Sequence, residues 1–320
     1  MRRSSRKLSI LIGSRPGVQY AGLTDLAVFE SADNKVAAVE AFVKRHDPDI
    51  IFTVAGMTSE AESFGAEVVM RDGGSTMITD SPLSERADPT RLLPRPLYES
   101  RSCRTLMESI RVLSERHPDN LVAATLNGPL TVCGLLLGLD RMLLLSIDDP
   151  QLLRELLVPI TERIIELMNA QIQFGARYVH VAEPTGSLLS PASLREIGLP
   201  FLQKLYHQVQ VPNHLHICGD VSALLSVLAE SGAGAVSVDS MVDMKTAASH
   251  FGEDMAVCGN IDVAALLLRG QPEEVEGATR TMLERMGTVG SYIPASSCGI
   301  PKLTPPENID RFVETVRGFE

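Results

Sequence analysis

Short β-branched runs alternate with longer amphipathic stretches along most of the chain. The clearest strand-like runs are DIIFTVAG (49–56), LVAATLNG (121–128), RYVHVAE (177–183), NHLHICG (213–219), GAVSVDS (234–240), DMAVCGN (254–260) and GSYIPASS (290–297). Helical spacing of apolar positions marks 98–116, 150–174, 191–209, 221–231 and 272–286. A last helix is expected from Pro305 to the C-terminus, because Pro305, Pro306 and Glu307 suit a first turn. Residues 66–83, AEVVMRDGGSTMITDSPL, form a predicted hairpin with Asp72-Gly73-Gly74 at its turn.

Alternation of this kind predicts a parallel sheet flanked by helices. An open nucleotide-binding sheet would place a Gly-rich turn after its first strand, and neither G-x-G-x-x-G nor G-x-x-x-x-G-K-[ST] occurs. Seven clear strands and one ill-defined strand in the first 80 residues favour a (β/α)₈ TIM barrel, decorated by the hairpin. The 320 residues fit one barrel domain. Residues 1–20 read as an N-terminal arm, since the basic start MRRSSRK is followed by too few apolar residues for a secretory h-region.

Composition narrows the function. Hydrophobic residues make up 44% and charged residues 22%, ordinary for a globular chain. The net charge of −11 argues against nucleic acid or an anionic membrane surface as partner, and no run is long and apolar enough to span a bilayer. Five widely spaced cysteines, Cys103, Cys133, Cys218, Cys258 and Cys298, fit reduced thiols in a cytoplasmic protein better than a disulfide framework.

In a barrel, chemistry collects at the C-terminal ends of the strands. That filter selects Asn127, Glu183, His216, Cys218, Asp239, Asn260 and Cys298. His216 and Cys218 are two apart on one strand, so their side chains project to the same side. Imidazole and thiolate suit a borderline-soft ion such as zinc. Cys298, in SSCGIP at the end of the last strand run, opens onto the same mouth and supplies a third ligand. Three protein ligands leave one position for substrate. The plainer alternatives are a structural histidine and small buried cysteines; Cys103, Cys133 and Cys258 are expected in the core.

These residues carry a resemblance. The chain resembles the uroporphyrinogen decarboxylase superfamily and, within it, the zinc-dependent corrinoid methyltransferases, including methylcobamide:coenzyme M methyltransferases. The matching segments are EAESFGAEV (60–68), LNGPLTVCG (126–134), EPTGSLLSP (183–191), HICGD (216–220), VSVDS (236–240), CGNID (258–262) and SCGIPKLTPPENI (297–309). HICGD and SCGIP resemble the zinc-ligand motifs of the methyltransferase branch. The resemblance implies a (β/α)₈ barrel, with His216, Cys218 and Cys298 as zinc ligands. A more distant similarity, to cobalamin-independent methionine synthases, puts Asp239 where those enzymes have a ligating Glu. Asp239 would then ligate, act through water, orient His216, or cap the following segment.

The implied reaction moves a methyl group from a methylcorrinoid to a thiol such as coenzyme M. No D-x-H-x-x-G corrinoid motif is present, so the methyl donor is expected on a separate corrinoid protein. Glu183, Asn260 and Tyr292 are candidates to bind or orient the thiol; rim hydrogen bonds, or burial for Tyr292, are the plain alternatives. The decarboxylase branch grips its polycarboxylate with an N-terminal arginine-rich motif, which SRPGVQYAGLTDL lacks. Other readings are a decarboxylase-like lyase, a zinc hydrolase, or a non-catalytic corrinoid- or thiol-binding accessory protein.

Overall fold

The computed structural model describes residues 7–71 and 75–319. Strands β1 (Ile50–Ile51), β4 (Leu121–Asn127), β5 (Tyr178–Ala182), β6 (Asn213–Ile217), β7 (Ala235–Val238), β8 (Ala256–Ile261) and β9 (Tyr292–Ser296) form one parallel sheet in that spatial order. Six fall inside the runs read from the sequence, and β8 overruns its run by one residue, Ile261. The predicted hairpin is β2 (Glu67–Met70) paired antiparallel with β3 (Thr76–Asp80); its Asp72-Gly73-Gly74 turn lies outside the described residues.

The eighth position of the barrel corrects the N-terminal reading. Ile10 bridges Ala295 in parallel, with Ile10 N–H donating to Pro294 at 2.9 Å and Ser296 N–H donating to Ile10 at 3.0 Å. Ile10 is fully buried, and Pro16–Tyr20 is a short helix. Residues 8–20 are therefore part of the barrel rather than an arm. Their strand signal was hidden because the apolar run is short, Leu8 and Ile10 to Ile12, and a basic tract precedes it. The Ser14 hydroxyl donates to the Phe52 carbonyl at 2.7 Å and helps close the ring toward β1.

Period-two alternation separates two cores. Ile10, Ile12, Ile50, Phe52, Ala123, Tyr178, Ala235, Cys258 and Ala295 fill the barrel interior. The alternate residues, such as Val179, Val181, Leu215, Val236 and Val257, pack outward against the helices. Helices start where the sequence supplies caps. Ser100 accepts from Cys103 N–H to open Arg101–Arg116, and Asp149 accepts from Leu152 N–H to open Pro150–Gln173. Pro306–Arg317 begins with Pro and Glu in its first turn, as expected. Among the described residues no single helix is long and apolar enough to cross a membrane.

Candidate metal centre

β6 ends at Ile217, so His216 lies on its last turn of pleat and Cys218 just beyond it. Gly219, at φ +83°, then turns the chain away from the barrel axis, a conformation that favours glycine. Cys298 follows the end of β9. The three side chains converge. His216 Nε2 is 3.1 Å from Cys218 Sγ, and Cys218 Sγ is 3.4 Å from Cys298 Sγ. All three ligand atoms lie within 4.8 Å of one another. Ligands bound ~2.0–2.3 Å from a tetrahedral zinc stand roughly 3.5 Å apart, so the spacing suits that ion.

Electrostatics point the same way. The Cys298 thiol is held well below its ordinary range, chiefly by accepting from the Cys218 thiol and further by His216. Cys218 is pushed up by that same bond, by burial and by nearby Asp239. The two shifts oppose each other, as befits one thiol that donates to the other. A second thiolate is unfavourable until a cation sits among the donors, and a soft divalent ion with a taste for N and S ligands fits this set.

The supporting contacts differ in part from expectation. The Ser237 hydroxyl lies 3.1 Å from His216 Nδ1 and leaves Nε2 facing the thiols. Ser237 is the register partner of His216 across β6 and β7. Asp239 instead accepts from Gly219 N–H at 3.0 Å and from the Ser240 hydroxyl at 3.1 Å. It is Ser237 that meets His216 Nδ1, because it is directly opposite in register, while Asp239 lies two residues further along.

The remaining candidates are engaged elsewhere. Glu183 is buried, and its carboxylate accepts from Leu130 N–H at 2.9 Å, Thr131 N–H at 2.8 Å and the Thr131 hydroxyl. It caps the helix Pro129–Leu137. Burial pushes its carboxyl up to about 7 against those bonds. Asn260 donates from Nδ2 to the Asp239 and Val242 carbonyls, both at 2.9 Å, tying β8 to the loop after β7. Tyr292 is the first residue of β9, at the end of the strand away from the mouth, and its hydroxyl donates to the Gly259 carbonyl at 2.7 Å. The expectation that Tyr292 lines the mouth is corrected, because the strand begins there instead of ending.

Residues not singled out from the sequence line the barrel axis beside the metal group. His180 stacks on His216 with centroids 6.0 Å apart, and its Nδ1 lies 2.7 Å from His214 Nε2. His214 Nδ1 meets the Tyr178 hydroxyl at 2.9 Å. Burial holds both His180 and His214 well below the ordinary histidine range, with repulsion from His214 and His216 adding for His180 and from His216 for His214, so they stand neutral. His180 also lines a cleft of about 400 Å³ together with Arg15, Thr53, Thr125, Gly299 and Lys302. The available signal was parity: His180 and Tyr178 share the inward face of β5. Cys103, Cys133 and Cys258 are buried, as expected.

Comparison with known proteins agrees with this geometry. The uroporphyrinogen decarboxylase (URO-D) family model matches residues 19–319. The chain belongs to the uroporphyrinogen decarboxylase family. A methylated-thiol–coenzyme M methyltransferase of Methanosarcina mazei is 28% identical over 298 residues, covering 92% of this chain and 76% of that one. A methylcobamide:CoM methyltransferase of Methanosarcina barkeri is 29% identical over 80% of this chain and 76% of its own length. A uroporphyrinogen decarboxylase of Streptomyces avermitilis is 26% identical over 86% of this chain and 78% of its own. Among solved structures, a methyltransferase from Methanosarcina mazei superposes with a TM-score of 0.90 at 24% identity, covering 99% of this chain and 94% of that one. These bear out the family and branch that the motifs resemble, and the family's barrel.

Proposed function

We propose that this member of the uroporphyrinogen decarboxylase family transfers a methyl group from a methylcorrinoid, carried on a separate protein, to the sulfur of a small thiol such as coenzyme M. The observation that carries this reading is the convergence of His216, Cys218 and Cys298 at the barrel mouth. These three residues would hold zinc, which would supply the positive charge that keeps a substrate thiol ionised near neutral pH.

The chain's own side chains then prepare the site. Ser237 fixes the His216 ring so that Nε2 faces the two sulfurs. Asp239 pins Gly219 and so sets the backbone beside Cys218. Asn260 in turn holds the loop that carries Asp239. Glu183 anchors the β4–helix junction at the same rim. The thiolate sulfur attacks the methyl carbon in line; a C–S bond forms, the Co–C bond breaks, and its electron pair stays on cobalt. The thiol proton goes to solvent.

Docking of a corrinoid protein is supported by the rim. Met57 after β1, Leu188 after β5, Met241 after β7 and Leu303 after β9 are large apolar side chains left exposed in the segments that follow the strands at the mouth. Five free cysteines suit work in the reducing cytoplasm. The lyase and hydrolase readings fit less well, since two thiolates and an imidazole favour sulfur alkylation over water activation.

The test is direct. Zinc-loaded protein mixed with methylcobalamin and 2-mercaptoethanesulfonate is expected to convert the methyl-Co(III) spectrum to that of Co(I). No spectral change with any of a panel of small thiols would overturn the reading.

A further inference from the structure

Lys35, in the helix Ala32–His46, is 3% exposed. Its ammonium has one hydrogen-bond partner, the Val54 carbonyl at 3.3 Å, and lies 5.9 Å from the Phe29 ring centroid. An ammonium offers three donors, and among the described residues no carboxylate pairs with this one. Glu62, the acid that acts on it from a distance, has its carboxylate oxygens bonded to Arg101 N–H, Ser102 N–H and the Ser102 hydroxyl. Burial accordingly lowers Lys35 to about 8, which leaves it mostly cationic at neutral pH.

A buried, unpaired cation is unfavourable unless something else completes it. Lys35 lines a cavity of about 170 Å³ that includes Asp25, Phe29 and Thr76. That cavity shares Arg15, Val54 and Ala55 with the larger cleft, whose other wall is His180 and Gly299, next to Cys298. The two spaces adjoin, so one depression runs from His180 and Gly299, the neighbour of Cys298, to Lys35. The other cations along it, Arg15 and Lys302, both pair with Asp25, at 3.3 and 2.6 Å. Among the described residues, Lys35 is the cation on this path with no acid paired to it.

The geometry points to Lys35 as the anchor for an anionic group on the thiol acceptor, held at the far end of the depression from Cys298 and selecting acidic over neutral thiols. This rests on the methyl-transfer reading above for the identity of the acceptor. A sulfonate, carboxylate or phosphate has the charge and the acceptor oxygens that the ammonium lacks. The corrinoid's nucleotide phosphate is the other source of such an anion, and the experiment separates the two.

Zinc-loaded wild type and Lys35→Met are compared with methylcobalamin as donor and 2-mercaptoethanesulfonate or 2-mercaptoethanol as acceptor. Lys35→Met is expected to raise KM for the sulfonate by about tenfold or more, equivalent to ~1.4 kcal/mol, and to leave KM for the alcohol within about twofold. Lys35→Arg is expected to restore part of the loss. An equal effect on both thiols, or none, overturns the proposal, as does an effect confined to KM for methylcobalamin. A second measurement does not depend on methyl transfer: calorimetric titration with ethanesulfonate is expected to show binding to wild type that Lys35→Met loses. Absence of binding to wild type, or equal binding to both, overturns the proposal even if neither thiol is methylated. Without ligand, Lys35→Met is expected to melt at or above wild type, because it removes an unpaired charge; clearly lower melting, or failure to fold, would make the lysine structural and overturn it.

Discussion

Cys218 Sγ and Cys298 Sγ lie 3.4 Å apart although 80 residues separate them in the chain. The contact joins the ends of β6 and β9, which are not neighbours in the sheet. Curling of the sheet brings both strand ends to one mouth. A cation held there gains two sulfur ligands and an imidazole at once. Purified protein is therefore expected to contain about one zinc per chain by atomic emission, in keeping with a three-ligand site. Cys298→Ser is expected to lose most of it. Full metal occupancy in that variant would remove Cys298 from the ligand set.

Ser237 gives a graded version of the same test. Its hydroxyl is the contact on the outer nitrogen of His216. Ser237→Ala should weaken zinc binding by roughly 10–100-fold while keeping the fold, as loss of an orienting partner does elsewhere. Competition with a chromophoric chelator measures this. An unchanged affinity would mean that strand packing alone orients the ring.

Asp239 separates ligation from support. Both of its oxygens already accept hydrogen bonds, from Gly219 N–H and the Ser240 hydroxyl. Asp239→Asn retains a carbonyl acceptor for Gly219. It should keep zinc at the wild-type ratio, with the chelator affinity changed by less than the Ser237→Ala effect. Loss of the metal on this substitution would identify Asp239 as a ligand.

Glu183 predicts a pH-dependent stability difference. Its folded-state pKa is raised from 4.5 to about 7, burial being the largest cause. Between those values the native state holds a proton that the unfolded state has released. Unfolding free energy therefore falls as pH rises through this window, and the favourable contribution is complete only below the unfolded value. Glu183→Gln cannot titrate, and its amide meets a backbone donor. It should destabilise by ~1–3 kcal/mol, with a gap to wild type that is wider at pH 5 than at pH 8. Denaturant melts across that range check it; a gap that widens with pH would contradict the raised pKa. Gly128→Ala should be harmful by the same contact, because a Cβ there collides with the Glu183 carboxylate.

The sequence by itself determined the alternation of strands and helices, the inward and outward faces of each strand, and the same-side pairing of His216 with Cys218. All of these are local periodicities, set by a repeat of two in strands and 3.6 in helices. The positions of Cys298 and Asp239 at strand ends were legible for the same reason. Tertiary structure alone decided what those ends meet. Ser237 lies opposite His216 through inter-strand register, which no spacing within either segment encodes. Tyr292 turned out to begin its strand, and residues 8–12 to complete the barrel, because strand ends are fixed by pairing partners and not by composition. Lys35 looks like any helix-surface lysine in the sequence. Only closure of the barrel, with the helix Ala32–His46 laid across Val54, takes its ammonium out of water, with no acid paired to it among the described residues.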